Sequence, residues 1–135
     1  MPFKITPDTI IIEDEIFPMF LVKSFLRSIE IDLQEFLIGG WGNGYVGLPK
    51  WHPYFELNYE EIPIRIHGGL TYSDYNENKK LWVIGFDTNH FGDSIENCSM
   101  DYVKKETYHL LIKCCELTQV QRILKLNQLK YLKTN

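Results

Sequence analysis

Only three of the 135 residues are cysteine, and Cys98, Cys114 and Cys115 supply neither a disulfide framework nor a C-x-x-C metal knuckle. Basic residues are outnumbered, 14 against 18 acidic, and the net charge of −4 removes most of the counterion-release affinity for duplex DNA or RNA. No apolar run reaches membrane-spanning length, and the start carries no signal-peptide pattern. No membrane partner and a cytoplasmic address are therefore expected. The phosphate loop G-x-x-x-x-G-K-[ST] and the G-x-S-x-G nucleophile elbow are both absent. Beyond Ser94 there is no glycine or proline to break a helix.

What is present describes a globular chain. With 44% hydrophobic and 24% charged residues, a chain of this length can bury a core as a single domain over 1–135. Its motif-bearing core is expected over 40–117. Aromatic residues, 14% of the chain, concentrate between Phe36 and Phe91.

"DTIIIEDEIF" is rich in β-formers and predicts a first strand. The run "PMFLVKSFLRSIEIDLQEFLI" carries two periods. Phe20, Leu21, Phe25, Ser28 and Ile31 suit a helix face, whereas Ile29, Ile31 and Leu33 alternate as in a strand. A helix is the expectation for its first part. Glycines from Gly39 to Gly47 then break the pattern, and Tyr45 to Leu48 predicts a short strand.

In "IPIRIHGGL", Ile62, Ile64 and Ile66 share one face and Arg65 and His67 the other, which predicts a half-buried strand over 62–72. "YSDYNENKK" reads as a polar connection and "LWVIGFD" as the second strand of an antiparallel hairpin, with Ile66 to Leu70 opposite Val83 to Asp87. Ser99 or Asp101 can cap a helix whose buried face is Val103, Thr107, Leu110, Leu111, Cys114 and Leu117, with a break near Thr118. The expected fold class is α+β, a small antiparallel sheet packed by a C-terminal helix.

The chemistry-bearing side chains fall in "GYVGLPKWHP" (44–53), "IHGGLTYS" (66–73) and "IGFDTNHFGD" (84–93). In the last, Asp87 leaves a strand end, and His90 and Asp93 follow on a loop. A carboxylate that accepts the Nδ1 proton of an imidazole leaves its other nitrogen as an acid or base. The candidate catalytic set is His67, Asp87, His90 and Asp93; the plainer alternative is a loop held by Asx turns. Gly68 and Gly69 either free backbone amides for an anion or end a strand in a bulge.

Tyr45, Trp51 and Tyr72, with Trp41 and Tyr54, offer flat faces for a planar ligand, or else core and lid. Lys50 and Arg65 are cations suited to a phosphate, Thr71 adds a hydroxyl and His52 another imidazole. The ligand-binding candidates are thus Tyr45, Lys50, Trp51, His52, Arg65, His67, Gly68, Gly69, Thr71, Tyr72, Asp87 and His90. His52, His67, His90, Asp87 and Asp93 hold enough donors for a divalent ion, but their spacing matches no zincin or knuckle. The sequence therefore assigns no metal and no cofactor. Cys114 and Cys115 lie among leucines and read as core and surface thiols.

Together the three stretches resemble a family of short uncharacterised proteins common in bacteriophage and prophage genomes, with a pattern like GYVGVP..HP, VHGGLT(Y/F) and WW.GFDC.H.GD. The likeness covers residues 43–115. Leu48 and Trp51 stand inside the first motif, and Thr88 replaces a frequent Cys, which removes any thiol role there. The family carries no established activity, so the resemblance implies a shared site and a phage-type origin in the cytoplasm of an infected bacterial host.

Three functions fit these residues. The first is capture of a small nucleotide-like molecule, such as a host immune signal, in an anti-defence role. The second is hydrolysis of a phosphodiester or glycosidic bond by His and Asp acid–base chemistry. The third is a protein-binding inhibitor of a host factor. A homo-oligomer is compatible with all three.

Overall fold

The run "MFLVK" is paired along both edges and covered on both faces, and it forms a strand, β2 (Met19–Lys23), where a helix was expected. Met19, Phe20 and Leu21 are all buried, alternating between two separate clusters. A short apolar run with partners on every side is satisfied by a strand, whatever helical period it also carries. The computed structural model describes residues 3–13, 16–24 and 39–134, with side chains as far as Leu117. The expectations for Phe25, Ser28, Ile29, Ile31 and Leu33 lie outside these residues.

β1 (Ile10–Ile12), β3 (Gly42–Leu48), β4 (Tyr72–Asn76) and β5 (Leu81–Phe86) complete a sheet in the order β1-β2-β3-β5-β4, antiparallel throughout. A long C-terminal helix, α1 (Met100–Thr134), packs against it, the α+β arrangement expected. Ser99 caps α1: its Oγ accepts from the Tyr102 N–H at 3.3 Å and its carbonyl from Val103 at 3.0 Å. The helix continues through Thr118 without the expected break.

The hairpin differs from expectation. "YSDYN", read as connection, is β4, and Tyr72 pairs with Gly85. Residues 62–71 lie outside the ladder, although Ile62, Ile64 and Ile66 do turn toward the core. Their backbone is served by helix side chains: Lys113 Nζ donates to the Arg65 carbonyl, and the His67 N–H donates to Glu106 at 3.1 Å. Those partners satisfy these two backbone groups without a neighbouring strand, and the N–H groups of Ile64 and Gly69 turn back to the Ile62 and Ile66 carbonyls. Gly42, Gly44 and Gly47, spaced as in a dinucleotide loop, lie within β3 and turn no phosphate loop.

β3 is the central strand, and its alternation divides the core. On one face Val46 and Leu48 join Met19, Leu21, Ile84 and Phe86 under Val103, Leu110, Leu111 and Cys114 of α1. On the other, Tyr45 packs with Phe3, Phe20 and Val83. Gly44 lets the helix approach, since a Cβ there would lie 1.9 Å from Thr107 Oγ1.

His52 belongs to the helix-side core. It is 3% exposed, its Nδ1 accepts from the Tyr54 N–H at 3.0 Å, and its Nε2 lies 3.1 Å from the Cys114 carbonyl. The ring is therefore the neutral Nε2–H tautomer, and protonation of Nδ1 would cost the Tyr54 bond. Burial holds its pKa below the ordinary 6.5, opposed only in part by the Cys114 carbonyl. Below 6.5 the unfolded chain binds the proton that the fold resists. The stability His52 contributes is complete above 6.5 and is lost as pH falls through the lower folded value. Urea unfolding on either side of that pH is expected to show a shallower acid loss in His52→Gln than in the wild type. An equal pH slope would refute this assignment.

Candidate functional site

Three segments meet at one end of the sheet beside the first turns of α1. The turn after Ile66 brings His67, the loop leaving β5 brings Asp87, His90 and Asp93, and the helix start brings Cys98, Tyr102 and Glu106. The loop is closed by the Asp93 N–H to the His90 carbonyl at 2.9 Å, and by the buried Thr88 hydroxyl donating to Gly42 at 2.7 Å. Asp93 is tied back to the chain before β3, its carbonyl accepting from Gly39 at 3.2 Å.

His67 sits between two partners, Nε2 2.9 Å from Asp93 Oδ1 and Nδ1 2.7 Å from the Tyr102 hydroxyl. The Asp93 carboxylate takes the Nε2–H, and Tyr102 donates to Nδ1. The other Asp93 oxygen accepts the His90 backbone N–H at 2.9 Å. Burial pushes the Asp93 carboxyl up, but the bonds from His90 and His67 and the attraction of His67 outweigh it, and its pKa falls below the ordinary value. Burial, followed by the charge of Glu106, raises the Tyr102 hydroxyl.

His90 is held differently. Its ring lies over Gly68, where a Cβ would come within 2.3 Å of Cε1, so the turn at positive φ admits the imidazole only because residue 68 has no side chain. Nδ1 is buried 3.4 Å from Asp87 Oδ1 and 3.4 Å from Asp93 Oδ2, with no aligned hydrogen bond among the described residues. Asp87 Oδ1 already accepts the Asn89 N–H at 3.0 Å. The rings of His67 and His90 stand 5.9 Å apart at 70°.

Of the expected site residues, the structure gathers His67, Gly68, Asp87, His90 and Asp93, with Gly69 in the same turn. Arg65 is exposed on an adjoining groove of about 300 Å³ that it lines with Ile66, Glu106, His109 and Lys113. Thr71, just before β4, donates its N–H to the Gly85 carbonyl at 2.9 Å.

The aromatic platform does not form at the histidines. Tyr45 and Tyr72 meet edge to face at 5.5 Å on the sheet side away from α1, where Phe3 covers them. Their hydroxyls are occupied by Asn43 and the Phe3 N–H. Period-two alternation places Tyr45 opposite the Gly44 and Val46 face. Lys50 and Trp51 are exposed beside core His52, with Trp51 against Phe17 at 5.7 Å. Cys114, which His52 contacts, is twelve residues beyond Tyr102, about 18 Å along the helix.

Cys98, Tyr102 and Glu106 escaped the sequence reasoning. Cys98 is 1% exposed, its Sγ 3.7 Å from Asp93 Oδ1 and 3.8 Å from His67 Nε2. Burial and the Asp93 carboxylate push its thiol up to about 11, so without a cation it stays protonated and is no nucleophile. The available signal was the helical spacing of Tyr102 and Glu106 on a turn beside Cys98. No family model, curated protein or solved structure matches the chain.

Proposed function

We propose that the protein hydrolyses a small phosphate-bearing, nucleotide-like molecule by acid–base chemistry at the His67–His90 cluster. The observation that carries this reading is the His90 Nδ1 atom, buried between two carboxylates with no aligned hydrogen bond. A buried polar group without a partner costs free energy and calls for a reason. An Nδ1–H that gains its carboxylate bonds as the ring becomes imidazolium supplies one. Nε2 of His90 has no hydrogen-bond partner among the described residues and is the nitrogen left for substrate.

The proton balance is simple. His90 Nε2 takes a proton from attacking water as the new phosphorus–oxygen bond forms. It returns that proton to the leaving oxygen as the ester bond breaks, and Asp87 and Asp93 stabilise the imidazolium between these steps. The groove with Arg65, Lys113 and His109 favours an anionic substrate.

Capture without turnover is the second reading. The resemblance to phage proteins supports it, with a nucleotide immune signal as ligand, but the burial of Tyr45, with half-buried Tyr72 packed edge to face against it, takes away part of its stacking surface. A panel of cyclic di- and trinucleotides and cyclic ADP-ribose isomers, recovered after incubation and weighed by mass spectrometry, separates the two. Hydrolysed product is the expected result. Intact ligand released on heating would favour capture, and a panel neither changed nor retained would remove both.

A further inference from the structure

We propose that His67 Nε2, Asp93 Oδ1 and Cys98 Sγ form a three-ligand site for a zinc-class divalent ion. These three donor atoms all lie within 4.8 Å of one another. Their separations are 2.9 Å from nitrogen to oxygen, 3.7 Å from oxygen to sulfur and 3.8 Å from nitrogen to sulfur. Tetrahedral zinc, with bonds of about 2.0 Å to nitrogen and oxygen and about 2.3 Å to sulfur, needs edges of about 3.3, 3.5 and 3.5 Å. The triangle is already a tetrahedral face to within a few tenths of an ångström.

Chemistry separates this from an ordinary hydrogen-bonded cluster. A buried thiol gains little from contacts of 3.7 and 3.8 Å, and a hydroxyl would serve better as a donor to Asp93. One nitrogen, one oxygen and one sulfur make a donor set of intermediate softness, suited to zinc and unsuited to magnesium or calcium.

Each ligand is fixed from behind. His67 Nδ1 reaches Tyr102, the second Asp93 oxygen holds the His90 N–H, and the Cys98 carbonyl accepts from Trp41 at 2.8 Å. Such outer partners orient metal ligands and set the imidazole tautomer.

On binding, the Cys98 thiol gives its proton to solvent. The proton on His67 Nε2 is exchanged for one on Nδ1, which then donates to the Tyr102 oxygen. The net release is a single proton for each ion. Three protein ligands leave a fourth tetrahedral position for water or a phosphate oxygen beside His90. This inference goes beyond the hydrolytic reading, and its test needs no substrate, so either can fail alone.

The full chain, stripped by chelator, is titrated with zinc and separately with cobalt(II). Expected are a single zinc per chain retained through gel filtration, a single proton released into weak buffer, and a thiolate-to-cobalt absorption band in the near ultraviolet. Cys98→Ser should abolish the band and weaken zinc binding at least about 100-fold. Tyr102→Phe should keep the band and weaken binding about 10- to 100-fold, as loss of an outer partner does. Cys115→Ser should change neither. Circular dichroism checks each fold, and Asp93→Asn, also expected to weaken binding, stands in if Cys98→Ser is unfolded. A wild type that retains no zinc, or a folded Cys98→Ser or Asp93→Asn that binds as the wild type does, would overturn the proposal.

Discussion

Replacing His90 by alanine is expected to reduce hydrolysis by about 10²- to 10⁴-fold, the usual contribution of a positioned acid–base group. In barrier terms this is about 3–5 kcal/mol. The ring carries little of the fold: its side chain is 36% exposed and neither ring nitrogen is hydrogen-bonded among the described residues. Its backbone N–H, which Asp93 accepts, survives the substitution. Far-ultraviolet circular dichroism and unfolding midpoint should thus stay close to wild type while turnover falls. Asp87→Asn should cost less, because Asp93 still faces Nδ1 at 3.4 Å. Unchanged turnover in His90→Ala would assign the cluster to loop scaffolding.

Gly44→Ala is expected to destabilise the fold by about 2–3 kcal/mol, at the upper end of the ordinary cost of overpacking. The added methyl would stand 1.9 Å from Thr107 Oγ1 and 2.8 Å from the Phe86 ring. Neither neighbour can step aside cheaply. The Thr107 hydroxyl donates to the Val103 carbonyl at 2.6 Å, and Phe86 is 1% exposed in the core. Moving α1 outward would open the contact of Val46, Ile84 and Phe86 with Val103, Leu110 and Leu111. Since α1 also carries Tyr102 and Glu106 to the histidines, the same displacement should loosen the site. Thr107→Ala in the Gly44→Ala background should restore a large part of the loss, a coupling that denaturant unfolding of the four proteins in the cycle measures. A loss below about 0.5 kcal/mol, the range of ordinary surface substitutions, would mean that the helix does not rest on Gly44.

The local part of the site was legible in the sequence. Asp87, His90 and Asp93 sit at three-residue spacing, and one turn closed by the Asp93 N–H brings both carboxylates to the same imidazole. The helix face from Val103 to Cys114 was legible too, because α1 buries the positions that a 3.6-residue period selects. Partners distant in sequence were not. The alternation of Ile62, Ile64 and Ile66 reports which way the side chains turn but not what satisfies the backbone, and here Glu106 and Lys113 replace a neighbouring strand. Tyr102 and Cys98 reach His67 only because α1 starts where it does and lies close over Gly44. The aromatic residues misled for a related reason: nothing local shows that Phe3 returns to cover Tyr45 and Tyr72.

The most direct test of hydrolysis at this cluster is to run the reaction on the nucleotide panel in oxygen-18 water, with wild type and His90→Ala side by side. The expected result is a single labelled oxygen for each bond broken by the wild type, and labelling at least about 10²-fold slower in the variant. Substrate recovered intact and unlabelled from the wild type, or equal rates of labelling in the two proteins, would contradict it.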